Sequence, residues 1–315
     1  MTVQVDNVNR TAQVDAVNKR ILGMQTVVVT GVSSGIGKSI ALLMVKSGWR
    51  VFGSVRKDVD AQALQAELGE AFVPLVFDVA DDAAVIAASV AVRARLAGRT
   101  LDGLVNNAGI ALSDPLLVQT VANFRKQIEV NLVGMFAVTR AFAPLLGADP
   151  ALTGPKGRIV NMSSVGGRIG PPFLGAYAAA KHGVEGFSDS LRRELQLVGI
   201  DVVIIGPGSV ATPIWDKSEA VPSAHLAGTI WERPFRAFTD YMIKDGRKVL
   251  APERIGEVVR TALTTAKPRA RYAPVPGKLL NWILPTTLPR RVVDRLIGRQ
   301  LGLMKGPETA NGRQQ

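Results

Sequence analysis

The chain has no cysteine and only two histidines, and both scarcities limit its chemistry. Without cysteine it can form neither disulfide bonds nor thiolate metal sites. The two histidines, His182 and His225, are too few for a histidine-rich metal centre, so we expect no bound metal. The lack of cysteine also suits the reducing environment of the cytosol.

Long apolar runs are missing as well. No uninterrupted run approaches the roughly 18 residues of a membrane-spanning helix. Residues 1–20 are polar and lack the apolar stretch of a secretory signal. We therefore predict a cytoplasmic protein whose residues 1–22 form a flexible N-terminal arm.

Acidic residues are scarce towards the C-terminus, where much of the net charge of +12 resides. Between Lys267 and Lys305 nine Lys or Arg residues oppose one acid, Asp294. Such an excess attracts nucleic acid, anionic lipid or acidic substrates. The chain has no nucleic-acid recognition motif and no aromatic and basic platform, so we predict no nucleic acid among its partners.

The basic C-terminal appendage, residues 277–315, contains an amphipathic cationic stretch over residues 278–297. One interpretation is peripheral contact with an anionic membrane, which would help to collect lipophilic substrates. The other is a helix whose apolar side packs on the core or on a partner subunit. Pro285 and Pro289 are expected to divide the stretch into short helices, which weakens the membrane interpretation.

What the chain does have is an apolar fraction of 47% and alternating helix and strand patterns. Alternation with short connections predicts an α/β fold with a doubly wound parallel sheet in one domain, residues 23–276. Residues 213–250 lack clear periodicity and contain several aromatic residues, so we predict an irregular, mobile substrate lid there. The predicted strands are 26–30, 50–55, 72–77, 101–106, 157–162, 201–205 and an edge strand from residue 271, and the predicted helices are 38–47, 61–68, 83–96, 123–146, 177–198 and 252–266.

A glycine-rich turn separates the first strand from the first helix. Gly31, Gly35 and Gly37 let backbone N–H groups approach a pyrophosphate, and the helix N-terminus favours its negative charge. The spacing Gly-x-x-x-Gly-x-Gly differs from the general dinucleotide fingerprint, and such a turn can also be purely structural. The predicted cofactor contacts in this turn are Gly31, Ser33, Ser34, Gly35, Ile36 and Gly37.

The end of the second strand indicates which dinucleotide binds. NAD sites usually place an acid there to hold the ribose 2′-hydroxyl, whereas this chain has Arg56 and Lys57, with no acid before Asp58. A guanidinium can form charge-assisted hydrogen bonds to a 2′-phosphate. The sequence therefore favours NADP(H) over NAD(H). The alternative is that Arg56 and Lys57 are ordinary solvated charges.

Further motifs follow in a fixed order, and together they resemble the short-chain dehydrogenase/reductase family over residues 26–212. Tyr177 and Lys181 lie four residues apart, and Ser164 lies thirteen residues before Tyr177. The resemblance implies a Rossmann-type fold, a nicotinamide cofactor, interconversion of alcohol and carbonyl groups, and a homodimer or homotetramer paired through helices 123–146 and 177–198. The matching motifs are Thr30-Gly-x-x-x-Gly-Ile-Gly37, Asn106-Asn-Ala-Gly109, Asn131, Ser164, Tyr177-x-x-x-Lys181 and Pro207-Gly208-x-Val-x-Thr212.

The catalytic roles follow from the chemistry of these side chains. A free tyrosine has a pKa of about 10, and a lysine on the same helix face is expected to favour its phenolate. Tyr177 would then act as general acid in reduction and general base in oxidation, with Lys181 also holding the nicotinamide ribose. Ser164 would hydrogen-bond the substrate oxygen, although the neighbouring Ser163 is an alternative. By resemblance, Asn131 holds a water of the proton relay; the alternative is that it only joins helix to strand.

The remaining predicted contacts line the path of the cofactor. Asp78 and Val79 are placed to meet the adenine ring, while Thr212 would meet the carboxamide or merely begin the lid. His182 faces another side of its helix, which favours a packing or surface role over a catalytic one. The other predicted cofactor contacts are Asn107, Ala108, Gly109, Pro207, Gly208 and Val210.

Substrate identity depends mainly on the lid and on residues 165–176, which supply apolar and aromatic side chains. These segments predict a hydrophobic ketone, aldehyde or alcohol. Ser164-Val-Gly-Gly, residues 190–195 and residues 252–276 resemble the branch of the family that acts on steroids and retinoids, and aliphatic ketones remain an alternative. A regulatory protein of the same fold that senses NADP(H) is the alternative function.

Overall fold

The chain alternates strands with helices and builds one parallel sheet. The structure is a computed structural model, and it describes residues 23–212, 223–244 and 249–304. Within these residues neighbouring strands are parallel, in the order β3-β2-β1-β4-β5-β6-β7. The strands β1 to β7 are Thr26–Val29, Arg50–Val55, Phe72–Val76, Gly103–Asn106, Arg158–Met162, Asp201–Ile205 and Arg271–Tyr272.

Helices connect the strands and cover the sheet. The described helices α1 to α9 are Gly35–Lys46, Asp58–Leu68, Asp82–Leu96, Val121–Leu146, Gly175–Glu194, Glu232–Lys244, Pro252–Thr264, Leu284–Thr287 and Arg290–Gln300. Helix α4 contains a π-helical turn at Glu129–Val133. A second π-helical turn, Leu279–Ile283, leads into α8.

Alternating strand side chains feed two apolar cores, one on each face of the sheet. In β1, Val27 and Val29 join the core beneath α1, α2 and α7, whereas Val28 joins the core beneath α3, α4 and α5. This alternation is the two-residue period of a strand buried on both faces. The predicted doubly wound, Rossmann-type parallel sheet is confirmed.

The strand order reverses between β1 and β4, and this reversal positions the site. The chain runs outward from β1 to β3, then returns to β4 and runs outward to β7 on the other side. In such sheets a crevice opens beyond the carboxyl ends of the strands at the reversal. The motif residues Gly31, Arg56, Asn107, Ser164 and Pro207 all follow the carboxyl ends of strands, so the fold gathers them at this edge.

A third apolar cluster, hereafter the lid cluster, lies beside the sheet. Its members come from the loops after β4 and before α5, from α5 itself, from the turn Ser223–Leu226, from α6, and from α9 and the residues that follow it. Helix α9 contributes Ile297, and Leu301 follows directly after it, so the C-terminal appendage packs on the lid. The buried members are Ala111, Phe173, Leu174, Tyr177, Leu226, Phe235, Phe238 and Leu301.

The prediction of an irregular lid over residues 213–250 is wrong for its middle part. Residues 232–244 form helix α6, and residues 213–222 and 245–248 lie outside the described residues. Trp231, Phe235, Phe238 and Met242 recur at intervals of three or four residues and join the lid cluster. This is the period of an amphipathic helix. The signal was present in the sequence, but it was interpreted only as an aromatic-rich segment.

The C-terminal prediction needs a similar correction. Pro285 does not divide the appendage, because the π-helical turn Leu279–Ile283 runs directly into α8 and the helix continues through this proline. Pro289 alone separates α8 from α9, of which it is the N-cap. The predicted N-terminal arm, residues 1–22, and the end of the appendage, residues 305–315, lie outside the described residues.

One described helix, α4, is long and apolar enough to cross a membrane by length and composition alone. It packs against α3 and α5, and 39% of its most apolar window is buried inside the protein. Core helices of globular proteins pass the same test, and we assign α4 to the covering layer of the sheet.

Candidate active site

A cleft of about 380 Å³ opens at the carboxyl edge of the sheet, where β1 and β4 meet. The structure brings together in this cleft every residue that the sequence predicts to contact the cofactor, together with Ser164. Asn131 alone of the predicted set does not line it. The predicted residues that line the cleft are Gly31, Ser33, Ser34, Gly35, Ile36, Gly37, Arg56, Asp78, Val79, Asn107, Ala108, Gly109, Ser164, Tyr177, Lys181, Pro207, Gly208, Val210 and Thr212.

The glycine-rich turn requires glycine at particular positions. Gly31 has φ of +71° and Gly35 has φ of +56°, a region that favours glycine. A Cβ atom on Gly37 would lie 2.0 Å from the carbonyl oxygen of Gly31 and 2.5 Å from Nδ2 of Asn107. The turn therefore presents bare backbone to the cleft at the N-terminus of α1, as a pyrophosphate site requires.

Side chains from neighbouring strands hold this turn. The Thr30 Oγ1 atom accepts hydrogen bonds from the backbone N–H groups of Asn107 at 2.9 Å and Ala108 at 3.0 Å. Asn107 Nδ2 in return donates to the carbonyl oxygens of Thr30 at 2.9 Å and Gly31 at 3.1 Å. Ser54 on β2, which the sequence reasoning missed, accepts from the N–H of Gly31 at 3.0 Å. Its only sequence signal is a small polar residue near a strand end.

Positive charge stands where the adenosine end of a dinucleotide would lie. Arg56 follows β2 and lines the cleft, with its side chain 62% exposed. Its Nη1 atom is 3.9 Å from Oδ2 of Asp78, a loose ion pair that leaves guanidinium donors available to a ligand. The turn of glycines together with this cation fits a dinucleotide that carries a 2′-phosphate.

Asn131 is completely buried in the π-helical turn of α4. Its Oδ1 accepts from the N–H of Ile110, and its Nδ2 donates to the Ile110 carbonyl oxygen, both at 2.8 Å. These bonds join α4 to the loop after β4, which agrees with the alternative that Asn131 only joins helix to strand. The water-holding role remains a prediction. Single π turns inside helices occur frequently at functional sites.

Helix α5 carries Tyr177 and Lys181 on one buried face. Lys181 Nζ donates to the carbonyl oxygen of Met162 at 2.8 Å and lies 5.8 Å from the centroid of the Tyr177 ring. Ser164 is hydrogen-bonded to the Tyr177 side chain, and its Oγ accepts from the N–H of Gly166 at 3.0 Å. One hydroxyl, one phenol and one amine therefore meet in the cleft.

Burial controls the ionisation of this group. It raises the pKa of Tyr177 above its usual value, and the hydrogen bond with Ser164 opposes this only partly. Burial also lowers the pKa of Lys181 to about 8, against the charge of Glu185, which raises it. Burial therefore governs the pKa of Tyr177 here, and the predicted effect of Lys181 on the phenolate stays a prediction. At neutral pH, Tyr177 is a protonated phenol.

The two adjacent serines point to different partners. Both serines line the cleft, but Ser163 Oγ donates to Oε1 of Glu185 at 2.6 Å, whereas the Ser164 side chain is hydrogen-bonded to Tyr177. This favours Ser164 over Ser163 as the residue that meets a substrate oxygen. His182 is exposed, and its Nδ1 atom lies 2.8 Å from the carbonyl oxygen of Ala178 on its own helix, which favours a surface role over catalysis.

Comparison with known proteins gives consistent results. The sequence profile described as short chain dehydrogenase matches residues 25–222. NADPH-dependent 3-dehydrocapnine reductase of Ornithobacterium rhinotracheale is 36% identical over 279 residues, which cover 88% of this chain and 98% of that protein. Retinol dehydrogenase 5 of Mus musculus is 32% identical over 281 residues, covering 85% of this chain and 86% of that protein.

A solved structure shares both the fold and part of the sequence. The closed form of serine dehydrogenase complexed with NADP+ superposes with a TM-score of 0.68 at 26% sequence identity. The match covers 79% of this chain and 94% of that chain.

Proposed function

Because the chain belongs to the short-chain dehydrogenase family, we propose that it reduces a hydrophobic ketone or aldehyde to the alcohol with NADPH. As a member of this family it is an oxidoreductase of CH–OH and C=O groups. The observation that carries the proposal is the meeting of Ser164, Tyr177 and Lys181 in the cleft that begins at the glycine-rich turn. The reverse reaction, alcohol oxidation with NADP+, uses the same groups.

The cofactor, when bound, supplies the hydride that reduces the carbonyl carbon. The protein has to supply the proton and stabilise the charge that develops on the substrate oxygen. Tyr177 is the proton donor, because its raised pKa keeps the phenol protonated at neutral pH. The hydroxyl of Ser164 donates a second hydrogen bond to that oxygen. Lys181, whose amine donates to the Met162 carbonyl oxygen, would hold the ribose hydroxyls of the cofactor.

The cofactor is assigned as NADP(H) rather than NAD(H). Arg56 follows β2 where NAD-specific sites usually carry an acid. A relative that is 36% identical is named as NADPH-dependent, and the serine dehydrogenase structure holds NADP+. Both observations support the same assignment.

Replacing Arg56 with Gln is expected to weaken NADPH binding about tenfold or more, because a hydrogen bond to a charged group contributes about 1.5–3 kcal/mol. The affinity for NADH, which lacks the 2′-phosphate, should stay the same. Titration of cofactor fluorescence measures both dissociation constants. Arg93→Gln is the matched control, since Arg93 pairs with Asp149 on the surface. Equal losses for NADPH and NADH would contradict the assignment.

The lid cluster supports the proposed hydrophobic substrate class. Tyr177 borders both the cleft and this cluster, whose other members are apolar or aromatic. A carbonyl attached to a chain or ring of hydrocarbon would bury its apolar surface there, at about 25 cal/mol per Å². Relatives named for retinol and 3-dehydrocapnine support this class. Steady-state rates over steroid, retinoid and long-chain carbonyls against short polar ones test it, and preference for the polar compounds would contradict it.

We further propose a homodimer or homotetramer paired through α4 and α5. Several large apolar side chains on α4 are exposed, although the helix otherwise packs on the core. A second copy would cover this surface, which a single chain leaves in water. Sedimentation of the full chain gives the assembly state. The exposed apolar residues are Val121, Phe124, Val133 and Phe136.

We also propose that the protein is cytoplasmic and contacts an anionic membrane peripherally, and the exposed face of the C-terminal appendage supports this. Arg291, Arg295 and Arg299 form a stripe along α9, on the side away from Ile297 and the lid cluster. Leu279 and Leu280, at the start of the preceding helical segment, are 60% and 68% exposed. Apolar side chains beside a row of cations are typical of helices that lie at a lipid surface.

Neutralising Arg291, Arg295 and Arg299 together to Gln is expected to lower partitioning onto anionic vesicles about 100-fold, since each cation near such a surface contributes about 1 kcal/mol. Co-sedimentation with phosphatidylglycerol vesicles measures this, and zwitterionic vesicles should bind little of either protein. A control variant with the same net charge shows whether the position of the cations matters. If that variant loses vesicle binding equally, the overall charge of the protein, rather than the stripe on α9, causes the binding. That control replaces Arg93, Arg192 and Arg236, which pair with surface acids.

A further inference from the structure

Glu185 is a buried carboxylate that the proposed reaction does not use. It lies one helical turn after Lys181 on α5, and its side chain is only 7% exposed. Oε1 accepts from Ser163 Oγ at 2.6 Å, and Oε2 accepts from Nε of Arg271 at 2.9 Å. The Nη2 atom of Arg271 also donates to Oε1, at 3.0 Å. The carboxylate and guanidinium therefore meet in two-point contact.

The surrounding backbone leaves room for this pair. A Cβ atom on Gly206 would lie 2.2 Å from Nη2 of Arg271, and one on Gly167 would lie 2.5 Å from Oγ of Ser163. Neither glycine has a positive φ, so packing space rather than backbone conformation makes glycine suitable at both positions. The site accommodates the ion pair only because both residues lack a side chain.

Arg271 links the active site to the C-terminal appendage. It comes from the edge strand β7, and its guanidinium lies 4.3 Å from the centroid of the Trp282 ring. Its side chain is 16% exposed. A planar guanidinium stacked on an indole is held in orientation while it donates to a carboxylate. Trp282 therefore covers the pair from the side of the appendage.

The pair lies close enough to act on Lys181. The charged and titratable groups that face the Lys181 amine are Tyr177 and Glu185 on its own helix and, behind Glu185, Arg271 on β7. Strand β5 faces it with the Met162 carbonyl oxygen, and the loop after β4 faces it with Gly109. Glu185, one turn from Lys181 on the same buried face of α5, is thus an anion that opposes the effect of burial, which disfavours the ammonium form of Lys181.

We propose that Glu185 and Arg271 are positioning residues that set the charge of Lys181 and hold the helix face on which it lies. The carboxylate favours the ammonium form of Lys181, and the guanidinium limits that effect by sharing the carboxylate. Ser163 and Trp282 hold the two partners in place. This inference rests on the proposed function, because the importance of the charge on Lys181 depends on its role toward the cofactor.

A purely structural ion pair is the competing account. A buried salt bridge between α5 and β7 could simply join two elements, and removing one partner would then destabilise the fold. Loss of stability alone does not distinguish the accounts. The titration of Lys181 does, because the two partners carry opposite charges and act on it in opposite directions.

The experiment measures the pKa of Lys181 by NMR of isotope-labelled lysine side chains, with Lys181→Met used to assign the signal. Glu185→Gln should lower the pKa of Lys181 from about 8, by about one unit. Arg271→Met should raise it, because the carboxylate is then no longer shared. Asp189→Asn is the matched control: its carboxylate lies on the same helix and pairs with Arg192, and its loss should leave the titration unchanged.

The double variant Glu185→Gln with Arg271→Met keeps the test usable if a single variant does not fold, since it leaves no unpaired buried charge. The pKa of Lys181 in the double variant should lie between its values in the two single variants. If only one single variant folds, the pKa in the double variant should lie above that of Glu185→Gln or below that of Arg271→Met. Shifts in the same direction, or no shift in folded variants, would overturn the proposal.

Cofactor binding separates this inference from the proposed function. NADPH affinity as a function of pH should follow the Lys181 titration in each variant. If the wild-type protein binds no NADPH, the proposed function fails, and the NMR titration still decides whether Glu185 and Arg271 set the charge of Lys181.

Discussion

Replacing Tyr177 with Phe is expected to lower kcat/KM for carbonyl reduction about 1,000-fold, because general acid catalysis contributes about 10²–10⁴. The dissociation constant for NADPH should hardly change, since the substitution removes one hydroxyl and keeps the buried ring in the lid cluster. The loss should appear mainly in kcat, because the phenol proton moves only in the transition state. Steady-state kinetics combined with NADPH titration measure both quantities.

Tyr272→Phe is the matched control for this prediction. Tyr272 is partly buried and does not line the cleft, and its hydroxyl accepts a hydrogen bond of 3.2 Å from the N–H of Arg269. Its kcat/KM should equal that of the wild type. A Tyr177→Phe enzyme that keeps kcat/KM within about tenfold of the wild type would show that another group supplies the proton.

Replacing Gly37 with Ala is expected to have the second large effect. The added methyl group would lie 2.0 Å from the Gly31 carbonyl oxygen, and backbone rather than a flexible side chain would have to move. Overpacking of this kind costs about 1–3 kcal/mol. We expect NADPH affinity to fall about 10–100-fold, because the displaced backbone is the surface that holds the pyrophosphate. Isothermal titration with NADPH measures the loss.

Gly186→Ala is the control for a glycine substitution in a helix. Gly186 lies inside α5, and a Cβ atom there would meet nothing within 4 Å. Alanine should therefore stabilise the fold by about 0.5–1 kcal/mol and leave NADPH binding unchanged. Unaltered NADPH affinity in Gly37→Ala would show that the turn does not hold the cofactor.

Much of the fold could be predicted from the sequence, because short apolar strands alternate with periodic helices. Arg50–Val55 and Asp201–Ile205 are strands with the predicted bounds. Helix α6 was missed because residues 213–250 were examined as one segment without clear periodicity. The apolar positions of the helix are mostly aromatic residues, and their helical spacing within that segment was not recognised. The continuation of the helix through Pro285 was missed because proline was interpreted as a helix breaker, and the π-helical turn that precedes it has no recognised sequence signal.

The site was predictable only as far as local motifs describe it. The glycine-rich turn, Ser164, Tyr177 and Lys181 are recognised by spacing, and the parallel sheet brings them together. The ion pair between Glu185 and Arg271 joins residues 86 positions apart, and nothing local marks either of them. The ionisation of Tyr177 could not be predicted either, because it depends on burial beneath α6 and α9.

The central claim is that this cleft transfers hydride from NADPH to a hydrophobic carbonyl. The most direct test supplies NADPH deuterated at the nicotinamide C4 position, in separate samples for each face, with a panel of retinoid, steroid and long-chain carbonyls. Mass spectrometry should find one deuterium on the carbinol carbon of the product for one of the two labelled faces, and Tyr177→Phe should abolish its formation. If the protein does not bind NADPH, or if every carbonyl in the panel leaves the deuterium on the cofactor, the account is contradicted.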